Sequence, residues 1–180
     1  RQRQMCIRDS ITLLSALFAI YITQQEYVPP YTQVSTVNQS ESEDIYMVSR
    51  VVDGDTIEVT KKGVKEKVRL IGVNTPETVD PRKKVECFGK EASAYAKEIL
   101  IGKQVKLVTD DTQTRYDKYG RLLAYVYRED GLFVNADLIA KGYAYEYTYR
   151  LPYLHQKEFK KLQDDARINK RGLWADGVCE

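Results

Sequence analysis

Histidine and cysteine are scarce in this chain of 180 residues. The only histidine is His155, and the three cysteines, Cys6, Cys87 and Cys179, form no C-x-x-C pair. Structural zinc sites are built from four closely spaced Cys or His ligands, so the sequence argues against a zinc site. Acid–base catalysis by a pair of histidines is also excluded, because a second histidine is missing.

The chain also lacks a strong charge of one sign. It carries 28 Lys and Arg against 26 Asp and Glu, a net charge of +2. This small excess does not by itself indicate a nucleic-acid partner, so any such argument depends on local clusters. With 43% hydrophobic and 30% charged residues, the composition is that of a globular protein.

No apolar run is long enough to span a bilayer comfortably. Residues 11–22 form an apolar run behind Arg1, Arg3 and Arg8, which is typical of a signal peptide. A short membrane anchor and a buried core helix are the alternatives. We predict a signal peptide or anchor at residues 1–23, and therefore secretion or attachment to the outer cell surface. Residues 1–10 resemble translated adaptor sequence and are left out of the fold. Residues 24–44, rich in Gln, Ser, Thr and Pro, are predicted to be a linker.

From residue 45 onward, short alternating apolar segments are separated by turn signals such as Asp53-Gly54. The predicted strands are 45–52, 57–60, 67–73, 104–108 and 122–127. The predicted helices are 91–101, 135–141 with Asn135 as its cap, and 154–169 with Leu154, Phe159, Leu162 and Ala166 towards the core. The pattern predicts an α+β, mainly β fold: a five-stranded β-barrel of OB type with three packed α-helices. We place this domain at residues 45–176, followed by a tail at 177–180.

Oxygen-bearing side chains are concentrated near two turns of this domain. Asp55 follows the first turn, and Asn74 and Glu77 follow the third strand. Such oxygens are the ligands that Ca²⁺ prefers, whereas carboxylates at strand ends are often only solvated turn residues. Arg69 suits a phosphate partner, or else forms a structural salt bridge to Asp55 or Glu77. By strand alternation we expect Arg69 to share a face with Ile71 and Val73.

A second basic segment is Asp117-Lys118-Tyr119-Gly120-Arg121. Arg121 opens the fifth predicted strand, so two arginines could clamp a phosphate while a metal ion binds another of its oxygens. The alternative is an ordinary charged hairpin loop. Together the two segments indicate metal-assisted attack on a phosphodiester.

The sequence resembles the staphylococcal nuclease family in a series of motifs that match in order and spacing. They are Asp53-Gly-Asp-Thr56, Arg69, Asn74-Thr-Pro-Glu-Thr78, Phe88-Gly-Lys-Glu-Ala-Ser93, Asp117-Lys-Tyr-Gly-Arg121, Ala124-Tyr-Val-Tyr127 and Gly172-Leu-Trp174. The resemblance runs from Tyr46 to about Trp174. It implies a Ca²⁺-dependent phosphodiesterase that hydrolyses DNA and RNA, preferably single-stranded or unpaired, and leaves 3′-phosphate ends. It also implies a monomer that needs no protein partner.

The resemblance assigns roles by position. Asp55, Asn74 and the Thr75 carbonyl would bind Ca²⁺, and Glu77 would be the general base or orient the attacking water. Arg69 and Arg121 would bind the scissile phosphate and stabilise its transition state. Contacts to neighbouring nucleotides would come from Lys118, Tyr119, Tyr147 and Tyr149.

Two departures from the family pattern matter. Asn74 stands where the best-known member has Asp, which removes one negative charge and predicts weaker Ca²⁺ binding. The two stacking tyrosines are Tyr147 and Tyr149 only if one residue is deleted nearby, and Tyr143 and Tyr145 are then packing residues.

Two alternatives remain open at this stage. Cys87 and Cys179 could pair if the chain is exported, or both could be free thiols. A catalytically weak or inactive OB-fold nucleic-acid-binding module is the alternative function. The presence of Arg69, Glu77 and Arg121 together favours the enzyme.

Overall fold

A computed structural model describes residues 44–78 and 84–179. The predicted signal or anchor segment, residues 1–23, and the predicted linker up to residue 43 lie outside the described residues. Within the two described ranges, no helix has both the length and the apolar character needed to cross a membrane.

Seven β-strands occur in the described residues, and five of them close into a barrel. Their bounds are β1 Ile45–Asp53, β2 Thr56–Lys61, β3 Val64–Leu70, β4 Val73–Asn74, β5 Gln104–Val108, β6 Leu122–Arg128 and β7 Tyr145–Glu146. Strands β1, β2 and β3 form an antiparallel meander, as the turn signals predict. The barrel order is β1-β2-β3-β6-β5, which confirms the predicted five-stranded barrel.

Two long-range pairings close the barrel. β3 runs parallel to β6 with Arg69 opposite Leu123, and β5 runs antiparallel to β1 with Val105 opposite Tyr46. Strands β4 and β7 form a separate two-stranded ladder beside the barrel, in which Asn74 pairs with Tyr145. This small ladder connects the end of the β3 segment to the tyrosine-rich segment.

In the described part of the chain, three α-helices pack on the barrel, as predicted. They are α1 Gly89–Leu100, α2 Val134–Ala140 and α3 Gln156–Ile168, followed by a 3₁₀ turn at Gly172–Trp174. The apolar spacing of α1 is confirmed, because Ala92, Ala96 and Ile99 are buried. In α3, Phe159 and Ala166 are buried as predicted and Leu162 packs against the core. Leu154 is 73% exposed, because α3 begins only at Gln156, so its predicted core position is wrong.

The predicted third strand is interrupted. β3 ends at Leu70 and β4 begins at Val73, with Gly72 between them at φ 74°. A Cβ at Gly72 would lie 2.6 Å from the Tyr153 ring, so both the conformation and the packing require glycine. Because this turn breaks the alternation, Arg69 does not share a face with Ile71 and Val73. Those two residues belong to the core with Leu70.

Asn135 does not cap α2. The cap position is Phe133, and Asn135 lies in the first turn, fully buried. Its side-chain oxygen accepts the Val126 N–H at 2.9 Å, and its amide donates to the Ile71 carbonyl at 2.9 Å. Asn135 therefore joins α2 to β6 and to the turn after β3. Its side chain pairs with backbone groups that have no partner in the strand pairing of the barrel.

Candidate active site

Asp55 and Arg69 form a buried ion pair beside the first hairpin. Arg69 Nη2 lies 3.2 Å from Asp55 Oδ2, and Asp55 is only 8% exposed. The pairing of Thr56 with Arg69 across β2 and β3 brings them together. Burial lowers the pKa of Arg69, and the opposing Asp55 charge acts in the other direction. The structural salt bridge considered for Arg69 is thus present, and its partner is Asp55.

The remaining contacts of this pair fix the turn after β3. Arg69 Nη1 donates to the carbonyls of Leu70 at 2.8 Å and Val73 at 2.6 Å. The Thr75 N–H donates to Asp55 Oδ2 at 3.2 Å. The β1–β2 turn and the segment that begins at Val73 are therefore held together by charge-assisted hydrogen bonds.

Arg121, the residue before β6, contacts this pair through Thr56. Its Nη1 lies 3.3 Å from the Thr56 hydroxyl, which donates to Asp55 Oδ1 at 2.9 Å. Asp117 orients the guanidinium, since its Oδ2 accepts from Nε at 2.7 Å. Burial would raise the pKa of Asp117, but hydrogen bonds from Arg121 and Tyr119 lower it overall. Two guanidinium groups thus converge on Asp55-Thr56.

Glu77 lies on the segment that follows Thr75. Its carboxylate accepts the Thr78 N–H at 3.0 Å, and the Thr78 hydroxyl donates to Asp53 Oδ1 at 2.8 Å. Asp53 is 7% exposed, and burial raises its pKa, with further contributions from the charges of Asp55 and Glu77. The negative charges of Asp55 and Glu77 are therefore close enough to affect the ionisation of Asp53.

Asp53 lies beside the predicted site residues, although its place in the sequence indicates only a turn. Its carboxylate accepts the Gly54 N–H at 2.9 Å in addition to the Thr78 hydroxyl. A Cβ on Gly54 would lie 2.6 Å from Thr75 Cγ2, so glycine allows Thr75 to approach the turn. The repeated acid in Asp-Gly-Asp was the available signal, but an Asp-Gly pair is also an ordinary turn sequence.

The predicted metal ligands offer oxygen donors of the right chemistry. Asp55 supplies a carboxylate, Asn74 an amide oxygen and Thr75 a carbonyl, a set that suits a hard divalent cation. Thr75 is 4% exposed, and its Oγ1 is buried without a hydrogen-bond partner in the described residues. An unsatisfied oxygen on the residue whose N–H donates to the Asp55 carboxylate fits a place for a cation. No group of three His, Cys, Asp or Glu side chains able to bind a metal occurs in the part of the chain that the structure describes.

An open cleft of about 560 Å³ adjoins the arginine pair. Seven of the predicted site residues line it: Arg69, Asn74, Lys118, Tyr119, Arg121, Tyr147 and Tyr149. Asp55 and Thr75 are not lining residues. Asp55 pairs with Arg69, which lines the cleft, and the Thr75 N–H donates to Asp55. Glu77 is not among the lining residues and reaches the cluster through its neighbour Thr78.

The far end of the cleft is aromatic and basic. Tyr119 is 71% exposed, and the Lys118 ammonium and the Arg121 guanidinium lie 4.9 and 5.4 Å from its ring centre. Tyr147 and Tyr149 are also exposed, with ring centres 6.4 Å apart. Exposed rings beside cations suit the stacking of nucleobases along a phosphate backbone.

The other two tyrosines of this segment are packing residues. Tyr143 stacks on Tyr95 with ring centres 4.2 Å apart, and Tyr145 meets the edge of Trp174 at 5.3 Å. This separates them from Tyr147 and Tyr149 in the cleft, in agreement with the sequence interpretation.

A disulfide joins Cys87 to Cys179, with 5.7 Å between their Cα atoms. Of the two possibilities that the sequence left open, the structure has the paired form. The bond connects the segment before α1 to the C-terminal tail.

Comparison with known proteins assigns the family. Residues 67–176 match the family model described as staphylococcal nuclease homologue. The chain is 36% identical to the thermonuclease of Staphylococcus hyicus over 166 residues, which is 92% of this chain and 95% of that protein. It is 40% identical to the thermonuclease of Staphylococcus intermedius over 145 residues, 81% of this chain and 83% of that protein. It is 36% identical to endonuclease YncB of Bacillus subtilis (strain 168) over 156 residues, 85% of this chain and 70% of that protein. The chain therefore belongs to the staphylococcal nuclease family.

Proposed function

We propose that this protein is a calcium-dependent nuclease that hydrolyses phosphodiester bonds of DNA and RNA and leaves 3′-phosphate ends. The observation that carries the proposal is the convergence of Arg69 and Arg121 on Asp55-Thr56, at the wall of a cleft lined by exposed tyrosines. Its relatives include proteins named thermonuclease and endonuclease, which supports the same reaction class.

The two arginines bind the scissile phosphate. Guanidinium groups match phosphate oxygens in geometry and are always charged, so they stabilise the negative charge that develops on the phosphorus-bound oxygens. Asp117 orients the Arg121 guanidinium through Nε, which leaves its outer edge directed to the Thr56 side of the cleft.

Asp55, Asn74 and the Thr75 carbonyl would bind the calcium ion. When bound, the ion supplies Lewis-acid polarisation of a phosphoryl oxygen. Asn74 contributes an oxygen without a charge, so Asp55 provides the only formal charge of this ligand set.

Glu77 acts on the attacking water, as a general base or by orienting it. As a base it takes one proton from the water while the oxygen attacks phosphorus. The bond from phosphorus to the 5′ oxygen breaks, and that oxygen leaves with the electron pair and takes a proton from solvent. The Thr78 N–H donates to one carboxylate oxygen of Glu77, which fixes the orientation of the group.

Lys118, Tyr119, Tyr147 and Tyr149 contact the flanking nucleotides. Base stacking on exposed rings needs bases that are not already stacked in a duplex, so single-stranded or unpaired regions are the preferred substrate. All of these proposed site residues belong to one chain, which supports a monomer.

We also propose that the protein acts outside the cytoplasm, secreted or attached to the cell surface. A disulfide persists in oxidising compartments, and the apolar run at residues 11–22 supports export.

Cleavage of a fluorescent single-stranded DNA in Ca²⁺ and in EGTA tests the proposal. We expect activity only with Ca²⁺, and losses of roughly 10²-fold or more in kcat for Glu77→Gln and Arg121→Ala. The matched controls are Glu98→Gln and Arg167→Ala, which change exposed residues of α1 and α3. Activity that survives chelation, or that neither site substitution reduces, contradicts the mechanism. Binding of DNA without cleavage would instead identify the inactive binding module.

A further inference from the structure

Glu86 makes two hydrogen bonds to the backbone of Glu77. The Glu77 N–H donates to Glu86 Oε2 at 2.9 Å, and the Glu86 N–H donates to the Glu77 carbonyl oxygen at 2.9 Å. The two bonds engage the peptide groups on both sides of the Glu77 Cα. Because those peptide groups determine the direction of the Cα–Cβ bond, Glu86 restrains where the Glu77 carboxylate can lie.

Glu86 is in turn fixed by its neighbour in the chain. Cys87 forms the disulfide with Cys179, and the tail that carries Cys179 is anchored to the domain. Leu173 is 3% exposed, and its N–H donates to the Gly142 carbonyl at 2.8 Å. A Cβ on Gly142 would lie 2.1 Å from the Arg171 carbonyl oxygen, so the two backbones are in direct contact. The disulfide thus connects Glu86 to an anchored part of the fold.

The first residue of α1 packs closely against the segment 76–78 that contains Glu77. A Cβ on Gly89 would lie 2.6 Å from Thr78 Cγ2 and 3.1 Å from the Pro76 carbonyl oxygen. The Gly89 N–H also donates to the Glu86 carbonyl at 3.1 Å. Residues 86–89 and 76–78 therefore lie in contact, with Glu86 opposite Glu77.

We propose that Glu86 is a positioning residue for Glu77 and that the Cys87–Cys179 disulfide keeps Glu86 in its hydrogen-bonding position. The inference rests on the proposed function, in which Glu77 acts on the attacking water. Cys87 is exposed, so a dithiol can reach the bond. Reduction passes two electrons and two protons to the disulfide and leaves two cysteine thiols, while the dithiol becomes a cyclic disulfide. Turnover then falls, because Glu77 loses its restraint.

The expected effect is on kcat rather than on KM. A catalytic group displaced by about 1 Å can cost up to roughly 10²-fold, and a partial loss of restraint is expected to cost roughly five- to tenfold. Lys118 and Tyr119 belong to a different loop, so substrate binding should change by less than about twofold.

The test is a coupling cycle in a Cys6→Ser background, where the disulfide pair is the only source of thiols. Single-stranded DNA cleavage is measured for oxidised and dithiothreitol-reduced protein, with and without Glu86→Ala, while circular dichroism verifies that each sample is folded. We expect reduction to lower kcat of the parent and to have little further effect on Glu86→Ala. Glu86→Gln should retain most activity, because its amide oxygen still accepts from the Glu77 N–H. The matched control is Glu98→Ala on α1.

Two results overturn the inference: equal kcat within about twofold for oxidised and reduced parent protein, or the same loss on reduction with and without Glu86. An oxidised parent protein that does not cleave DNA would refute the proposed function itself. An active parent that Glu77→Gln inactivates, but that reduction leaves unchanged, would refute only the positioning role.

Discussion

Replacing Asp110 with Asn is expected to destabilise the domain near neutral pH and much less in acid. Asp110 is 7% exposed and lies just after β5. Its carboxylate accepts the Tyr125 hydroxyl at 2.6 Å, the Leu154 N–H at 2.8 Å, and the Thr112 N–H and hydroxyl at 2.9 and 2.7 Å. An amide would place donors opposite some of these donors, so the substitution breaks the network.

The lowered pKa of Asp110 gives the size of the expected loss in unfolding free energy. Burial would raise it, but the hydrogen bonds from Leu154, Tyr125 and Thr112 outweigh burial and lower it from 3.8 to about 2. The folded and unfolded pKa values therefore differ by about 1.8 (3.8 minus about 2), which corresponds to roughly 2.5 kcal/mol at neutral pH. Because the folded pKa is the lower one, this stability is present above pH 3.8 and is lost as the pH falls towards about 2.

The loss of stability is measured by urea unfolding. The fluorescence of Trp174, the only tryptophan, reports on unfolding. We expect Asp110→Asn to lower the unfolding free energy by roughly 2–3 kcal/mol at about pH 7 and by less than about 1 kcal/mol at about pH 2. The neighbouring, exposed Asp111→Asn is the matched control and should change little. An equal loss at both pH values, or an equal loss in the control, would refute the reasoning.

Two further predictions concern the cleft. Asn74→Asp adds a carboxylate to the proposed ligand set, so calorimetric titration should show Ca²⁺ affinity higher by on the order of tenfold, with no change for the exposed Asn169→Asp. An unchanged affinity for Asn74→Asp would remove Asn74 from the ligand set. Tyr149→Ala should raise KM for single-stranded DNA by roughly five- to 150-fold, equivalent to ~1–3 kcal/mol per stacked base, whereas Tyr149→Phe retains the ring and should bind normally. Equal KM values for the two Tyr149 variants would exclude stacking there.

Local patterns were sufficient to predict the secondary structure of the barrel. Alternating apolar residues and turn pairs such as Asp53-Gly54 act over a few residues, so they are visible in the chain itself. The interruption of the strand at Gly72 could not be predicted from local patterns. It is caused by the ring of Tyr153, which packs there from a distant part of the chain. Asn135 was misread for the same kind of reason. Its sequence position suits a helix cap, but its partners are on β6 and after β3.

Motif reasoning predicted seven of the residues that line the cleft, and it missed Asp53 and Glu86, which act through contacts with the segment around Glu77. The Asp-Gly pair predicts only a turn at Asp53, although its carboxylate accepts the Thr78 hydroxyl beside Glu77. Glu86 lies in no motif of its own, and its importance depends on which backbone groups lie opposite it. Neither relation can be derived from residue type and spacing.

Residue types and their spacing are enough to predict which groups could carry the chemistry: two arginines, three candidate oxygen ligands, one candidate base and a set of tyrosines, with one His and no zinc-type cysteine spacing. Where these groups lie relative to one another depends on tertiary contacts. The parallel pairing of β3 with β6 brings Arg69 and Arg121 to Asp55 and Thr56, and the disulfide brings the tail to the segment beside Glu77. Both contacts join residues far apart in the chain, and such contacts form through burial and pairing of the whole barrel rather than through local preference.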